Sequence, residues 1–399
     1  MTVWEDLVGQ AAVVDTLRRA AGGHGMTHSW LFTGPPGSGR SNAAVAFAAA
    51  LQCERPHGPD GPGCGDCHAC RTVVARTHAD LTVVRTEKLS LGVDDVRELV
   101  RRSALAPVGE RWQVLVVEDA DRLTDQAVNA LLKAIEEPTE RTVWLLCAPT
   151  VEDVLPTVRS RCRLVTLVTP STADVAAYLV RAVGVPDGLA AYAARASQGH
   201  IGRAKALARD EATRSRRQEV VTLPTALRSI GDCMRAAANL AEAAKEEADA
   251  ITGELAVREK ADLDASYGVV ERGRRPREYA PALAALERAQ RLRAKRRHLD
   301  VVDRGLMDLV SVYRDAIAVG TGSAGDLVNE EQRAVVTALA RESTPEANLR
   351  RIAAIFAARE QMLEFNVPVA LALESMMVSL RSETASTASG PVPRGGGSG

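Results

Sequence analysis

Residues 34–41 read Gly-Pro-Pro-Gly-Ser-Gly-Arg-Ser, directly after the apolar run Trp30-Leu31-Phe32 and before a long Ala-rich stretch. Strand, glycine-rich turn and helix in that order form the setting in which backbone N–H groups cradle phosphate oxygens. Gly34, Gly37 and Gly39 let the backbone approach such a group closely, Pro35 and Ser38 complete the turn, and the Ser41 hydroxyl is of the type that meets Mg²⁺. The pattern wants Lys where this chain has Arg40. A planar guanidinium fork is no equivalent of a compact ammonium. The loop therefore predicts an ATP/Mg²⁺ site altered at the residue that meets the β/γ-phosphates, and leaves open whether nucleotide binds there. The flanking strand and helix argue against a chance glycine-rich turn.

Apolar runs at 30–33, 81–85, 113–118, 142–148 and 163–167 are rich in Val and Leu without alternation, as in strands buried on both faces of a parallel sheet. Helical stretches between them complete a doubly wound α/β unit over residues 1–168. Thr169-Pro170-Ser171 breaks the chain, and Ser171 or Thr172 is placed to cap a helix running through Leu179. A small helical domain is expected over 169–211, an all-helical region over 212–382, and a disordered Ser/Thr/Gly/Pro tail over 383–399. The strongest helical pattern, residues 352–380, carries Ile355, Phe356, Met362, Leu363, Leu371, Leu373, Met376 and Met377 and is interrupted near Pro368. Aromatic residues make up only 3% of the chain, so its cores must rest on Ala, Leu and Val.

Lys and Arg total 50 against 51 Asp and Glu, for a net charge of -1, so no global basic field points to independent nucleic-acid binding. Charged stretches at 245–247, 272–277 and 291–297 read as solvated helix faces and a loop. Contact with DNA phosphates is the alternative, without interleaved aromatics to stack bases. No basic-then-apolar leader opens the chain and no run of 18 apolar residues offers a membrane span. A cytoplasmic location is expected.

Residues 114–121 read Val-Leu-Val-Val-Glu-Asp-Ala-Asp, which puts Glu118 and Asp119 at the C-terminal end of a buried strand, where open α/β sheets bind ligands. An active ATPase of this kind has Asp then Glu. The reversed order lengthens one carboxylate and shortens the other, misplacing both metal binding and water orientation. Carboxylates that merely end a buried strand are the bland alternative; beside the glycine-rich loop the pair reads as part of a nucleotide site whose hydrolysis is impaired.

Cys53, Cys64, Cys67 and Cys70 form a Cys-x10-Cys-x2-Cys-x2-Cys set in a Gly/Pro-rich excursion after the loop's helix. Two tight steps and one distant Cys suit a closed tetrahedral Zn²⁺ site with a structural task. Disulfides are disfavoured in a reducing compartment, and an iron–sulfur cluster is the weaker alternative.

Residues 129–138, Asn-Ala-Leu-Leu-Lys-Ala-Ile-Glu-Glu-Pro, are followed by a strand and then by Ser160-Arg161-Cys162. With Val8-Gly9-Gln10, His28 and the four-Cys segment, they make the chain resemble the delta-prime subunits of bacterial DNA polymerase III clamp loaders. These are AAA+ proteins, with the tau/gamma motor subunits as close relatives. The likeness covers residues 1–210, and beyond that only the helical class and the closing stretch 366–380. It implies an AAA+ sheet domain, a helical lid and a helical collar. It implies that Arg161 is an arginine finger donated across a subunit interface onto a neighbour's γ-phosphate. It further places Thr150 near a sensor position, although Ala148-Pro149 before it departs from the usual polar pattern, Arg203 of Gly202-Arg203-Ala204 at a second sensor, and Gln10 near the adenine.

Arg40 and the Glu118-Asp119 order both strike the chain's own site, whereas Arg161 is intact. That combination reads as a stator working with tau/gamma and delta subunits, and through the assembled complex with the sliding clamp and primer-template DNA. Its own ATPase would be weak or absent, and no carboxylate set suggests polymerase chemistry. A competent ATPase motor is the second reading, and a zinc-dependent nucleic-acid binder the third.

Overall fold

A computed structural model describes residues 2–58, 61–85, 90–267, 276–323 and 325–381. The chain divides into two compact units, 1–214 and 215–399.

The first unit is built on five parallel strands, β1 (Ser29–Thr33), β2 (Leu81–Val84), β3 (Gln113–Val117), β4 (Thr142–Ala148) and β5 (Arg163–Thr166). Their order in the sheet is β2-β3-β4-β1-β5. Strand β4 thus stands between β1, which feeds the glycine-rich loop, and β3, which ends at Glu118 and Asp119. The helices around the sheet are α1 (Ala11–Ala21), α2 (Arg40–Gln52), α3 (His68–Val74), α4 (Val93–Ser103), α5 (Asp125–Glu136) and α6 (Pro156–Arg159).

Strands β1, β3 and β4 are buried along their whole length. Side chains alternate between the two faces of a strand, and here both faces are apolar. Trp30, Phe32, Val116 and Leu145 pack with Phe47 of α2 in one core; Leu31, Leu115, Trp144 and Leu146 pack with Leu131 and Ile135 of α5 in the other. Helix α2 is buried continuously from Ala43 to Gln52, which its run of alanines allows because small side chains let the backbone lie close to its neighbours.

Helices α7 (Thr172–Val183), α8 (Asp187–Ser197) and α9 (Ile201–Arg209) follow, with a core of their own that includes Val175, Leu179, Ala193 and Leu207. Ser171 caps α7 by accepting the Asp174 N–H at 3.1 Å. The strand limits read from the sequence hold to within one residue. A doubly wound parallel sheet followed by helices is the fold that the motifs imply.

Helix α10 (Glu211–Thr222) spans the boundary between the units, and the second unit continues with α11 (Ile230–Ser266), α12 (Tyr279–Gly320), α13 (Arg333–Glu342), α14 (Pro345–Leu363) and α15 (Val369–Leu380). Its main core joins Leu240, Leu306, Leu309, Ile355, Leu373 and Met377. Pro368 is the N-cap of α15 and makes the interruption read from the sequence. Phe356 and Leu371, counted there with the apolar face, are 46% and 56% exposed. Phe356 follows buried Ile355 and so lies about 100° round the helix from the core-facing line.

The charged stretches are not simply solvated. Glu247 accepts from Arg304 at 2.9 Å and Glu259 from Arg293 at 2.8 Å, so these charges clasp α11 to α12 in antiparallel register. Buried positions of α11 end at Ala248 and, apart from Tyr279, those of α12 begin at Val301. Beyond them the helices form a two-helix arm roughly 27 Å long by helical rise. Residues 272–275 and the tail 383–399 lie outside the described residues. Among the described residues no helix is long and apolar enough to cross a membrane.

One buried ion pair organises the second unit. Arg217 Nε donates to Asp308 at 3.0 Å and its Nη2 to Asn329 at 2.5 Å, with both charged side chains at most 5% exposed. Removing one partner of a buried pair strands the other charge. Asp308→Ala is therefore expected to cost about 3–5 kcal/mol in urea unfolding. Asp262→Ala, at an exposed position, should stay within about 0.5 kcal/mol of the parent.

Candidate functional site

The loop of residues 34–41 leaves β1 at the C-terminal end of the sheet, and α2 begins at Arg40. Gly37 and Gly39 have φ of +85° and +95°, values that L side chains rarely adopt, so the turn requires glycine at both. A Cβ on Gly37 would lie 2.6 Å from the Cα of His200. Residue 200 caps α9, and the next residue, Ile201, donates its N–H to the Gly37 carbonyl at 3.4 Å. Helix α9 is thus seated against the loop.

Arg40 folds back on the same loop, its Nη1 donating to the Gly34 carbonyl at 2.6 Å. Burial lowers the Arg40 pKa, while Cys147, Asp121, Asp119 and Asp153 act in the opposite direction. Burial raises the Asp121 carboxyl above its ordinary range. The cation and three carboxylates therefore share one neighbourhood. Ser38 Oγ is buried beneath the loop without a hydrogen-bond partner.

Glu118 is spent elsewhere. It lies one residue beyond β3 with a side chain 5% exposed, and Arg76 Nη2 donates to its Oε1 at 2.7 Å. Arg85 stands 3.9 Å from its other oxygen. Arg76 follows the C-cap of α3 and has φ of +60°, a left-handed conformation for a non-glycine residue. A carboxylate held this way is poorly disposed toward a metal–nucleotide complex, and so is an arginine turned onto its own loop. Arg40 and Glu118, the cation and acid expected to meet ATP/Mg²⁺, thus each have a partner within the fold.

The remaining predicted positions divide. Thr150 donates its N–H to Asp153 at 2.8 Å, beside Pro149, whose carbonyl accepts from Gly34 at 3.1 Å. Arg203 stands in the first turn of α9, three residues after His200. Gln10 is 2% exposed and exchanges two hydrogen bonds with the Val168 backbone, at 2.7 and 3.2 Å, so it secures the end of β5. Arg161 lies beyond α6, 37% exposed at its side chain, on Glu136 of α5. The structure brings the loop, Asp119, Thr150 and α9 together. It places Arg161 in a separate set of contacts.

Cys53, Cys64, Cys67 and Cys70 are all buried, with ligand atoms within 4.8 Å of one another. Cys53 ends α2, while Cys67 caps α3 and accepts the Cys70 N–H at 3.4 Å. Burial raises the Cys64 thiol, but hydrogen bonds from the Cys67 and Asp66 backbone and from the Cys53 and Cys67 side chains outweigh it and bring it to about 6. Arg55 donates to Cys64 Sγ at 3.6 Å. The seven cysteines are free of disulfides. Four buried thiols gathered in this way could hold a metal ion. The N-terminal segment seals the module: Trp4 Nε1 donates to the Pro62 carbonyl at 2.9 Å and the Val3 N–H to Gly63 at 3.0 Å. Burial pushes the Cys162 thiol up to about 12, which makes it a poor nucleophile.

Sequence reasoning missed Arg76, Asp153, His200 and the contact of Glu136. Glu136 alone carried a signal, as the first acid of the Glu-Glu-Pro motif.

Residues 9–171 match the family described as "DNA polymerase III, delta subunit". The delta-prime subunit of DNA polymerase III from Escherichia coli K12 is 38% identical over 192 residues, 47% of this chain and 56% of that protein. The gamma/tau subunit from Mycobacterium tuberculosis H37Rv is 38% identical over 157 residues, 39% of this chain and 27% of that protein. The chain thus spans between about a quarter and little more than half of these curated relatives. A gamma subunit-related protein from Thermotoga maritima aligns over 92% of this chain and 98% of its own at 14% identity, with a TM-score of 0.39. The fold assignment rests on the chain's own sheet order.

Arg76→Ala would leave the buried Glu118 carboxylate without its nearest cation, at an expected cost of about 1–3 kcal/mol in urea unfolding. Adding Glu118→Gln should recover most of that loss, because the stranded charge goes. An unchanged midpoint in Arg76→Ala would mean that the pair contributes nothing.

Proposed function

We propose that this chain is the delta-prime stator subunit of a replicative clamp loader. It assembles with delta and tau/gamma subunits to set a sliding clamp on primer-template DNA, and supplies Arg161 in trans to a neighbour's ATP while its own site is impaired. One contrast carries the reading. The groups that should grip nucleotide here are engaged inside the fold, Arg40 on Gly34 and Glu118 on Arg76, whereas Arg161 is held at the surface. A motor subunit needs the opposite arrangement, with its own acid and cation free for metal and phosphate. The match over residues 9–171 and the delta-prime and gamma/tau relatives support the assembly.

The second unit is the collar that binds neighbouring subunits. Its exposed Phe356, Phe365, Leu371 and Val378 provide apolar surface for that contact. The four-cysteine module holds a structural Zn²⁺ with no open position, tying down a segment too small to bury a core alone. The setting is the bacterial cytoplasm, at the replisome.

The test mixes this chain with its cognate tau/gamma and delta subunits and measures ATP turnover with primed DNA and clamp. Wild-type chain should raise turnover, and Arg161→Ala should remove about 10³-fold of the rate at the site it faces. Equal turnover with Arg161→Ala, together with steady hydrolysis by the isolated chain, would instead identify a motor. Elemental analysis of the purified chain should give close to one zinc, and Cys70→Ala should lose it and lower the melting temperature.

A further inference from the structure

Arg161 does not hang free at the surface. Its Nη1 donates to the Thr157 carbonyl at 2.8 Å and contacts Ser160 Oγ at 3.2 Å. The opposite edge of the fork, Nε and Nη2, converges on one carboxylate oxygen of Glu136, a residue 25 positions away in the chain. Helix α6 thus holds one side of the guanidinium and the last residue of α5 the other. Glu136 is itself 43% exposed, and an ion pair that open to solvent contributes little to stability. What the pair does fix is the direction of a side chain with many rotamers.

We propose that Glu136 is the positioning residue for the finger: with the Thr157 carbonyl it fixes the Arg161 guanidinium before a neighbouring subunit arrives. This rests on the reading of Arg161 as a trans-acting finger. A donor aligned in advance stabilises charge developing on a transferring phosphoryl group without reorganising at the moment of reaction. Arg161 carries the long rotamer-rich chain whose freedom would otherwise be lost in that step. Both oxygens of Glu136 are not needed, since the two donors meet at a single one, Oε1. The amide oxygen of glutamine can accept the same bonds, and the shorter aspartate reaches less far.

The experiment uses the assembled complex with cognate tau/gamma, ATP, primed DNA and clamp, comparing wild type with Arg161→Ala, Glu136→Ala, Glu136→Gln, Glu136→Asp and the Arg161→Ala/Glu136→Ala double variant. Glu136→Ala should lower kcat about tenfold with KM for ATP and complex assembly unchanged, and Glu136→Gln should recover most of that loss. The double variant should be no slower than Arg161→Ala alone, because a positioning residue acts only through the group it positions. If Arg161→Ala depresses turnover while Glu136→Ala matches wild type, the finger stands and its positioning by Glu136 is wrong. If Glu136→Ala raises turnover, the pair restrains the finger and the proposal fails. If losses in the double variant multiply, Glu136 acts independently and the proposal fails. If Arg161→Ala itself changes nothing, the finger reading falls first and this inference with it.

Discussion

The seating of α9 on the glycine-rich turn is the contact on which the candidate site depends. Only glycine at position 37 lets the Cα of His200 come so close, and the Ile201 N–H reaches the Gly37 carbonyl from the same helix end. Beneath that contact Arg40 closes on Gly34. At the other end of the helical segment, Gln10 ties the α1 end to Val168 just before α7. The loop is thus joined to α9 at Gly37, and Gln10 separately secures the segment that leads into α7. The Gly34 carbonyl of the loop is met by the chain's own Arg40.

The same economy appears in the acids. The buried Glu118 is matched by a cation delivered from the end of the four-cysteine module, since Arg76 follows directly on α3. A module with no core of its own thereby supports the strand end where a metal would otherwise be expected. In the second unit Arg217 and Asp308 do comparable work among helices. Arg161, like Arg76, is partnered yet partly exposed, whereas Arg217 is buried with its partner.

Much of this was legible in the residues. The strands could be drawn to within one residue because a parallel sheet covered on both faces demands unbroken apolar runs, and β1, β3 and β4 have them. Ser171 announced α7 and Pro368 announced α15, since caps and prolines act locally. The four cysteines were legible as a set because metal-type spacing is local as well. Arg76 and His200 were not, because each matters through one distant contact and carries no periodic or motif signal. From the reversed Glu118-Asp119 order the sequence suggested only a displaced carboxylate, whereas the structure pairs Glu118 with Arg76. Exposure of Phe356 was hidden for the opposite reason. Helical period separates it from Ile355 by a single residue, and apolarity alone does not say which of two neighbours faces inward.

Nucleotide binding by the isolated chain tests the central claim most directly. Calorimetric titration with ATP and Mg²⁺ should show no saturable heat up to about 1 mM, a limit equivalent to about 4 kcal/mol of binding free energy. Arg40→Lys should not restore it, because Glu118 would still be held by Arg76 and α9 would still cover Gly37. Micromolar, Mg²⁺-dependent binding by the unaltered chain would contradict the account, for it would mean that the contacts at Gly34, Gly37 and Glu118 yield to nucleotide and do not exclude it.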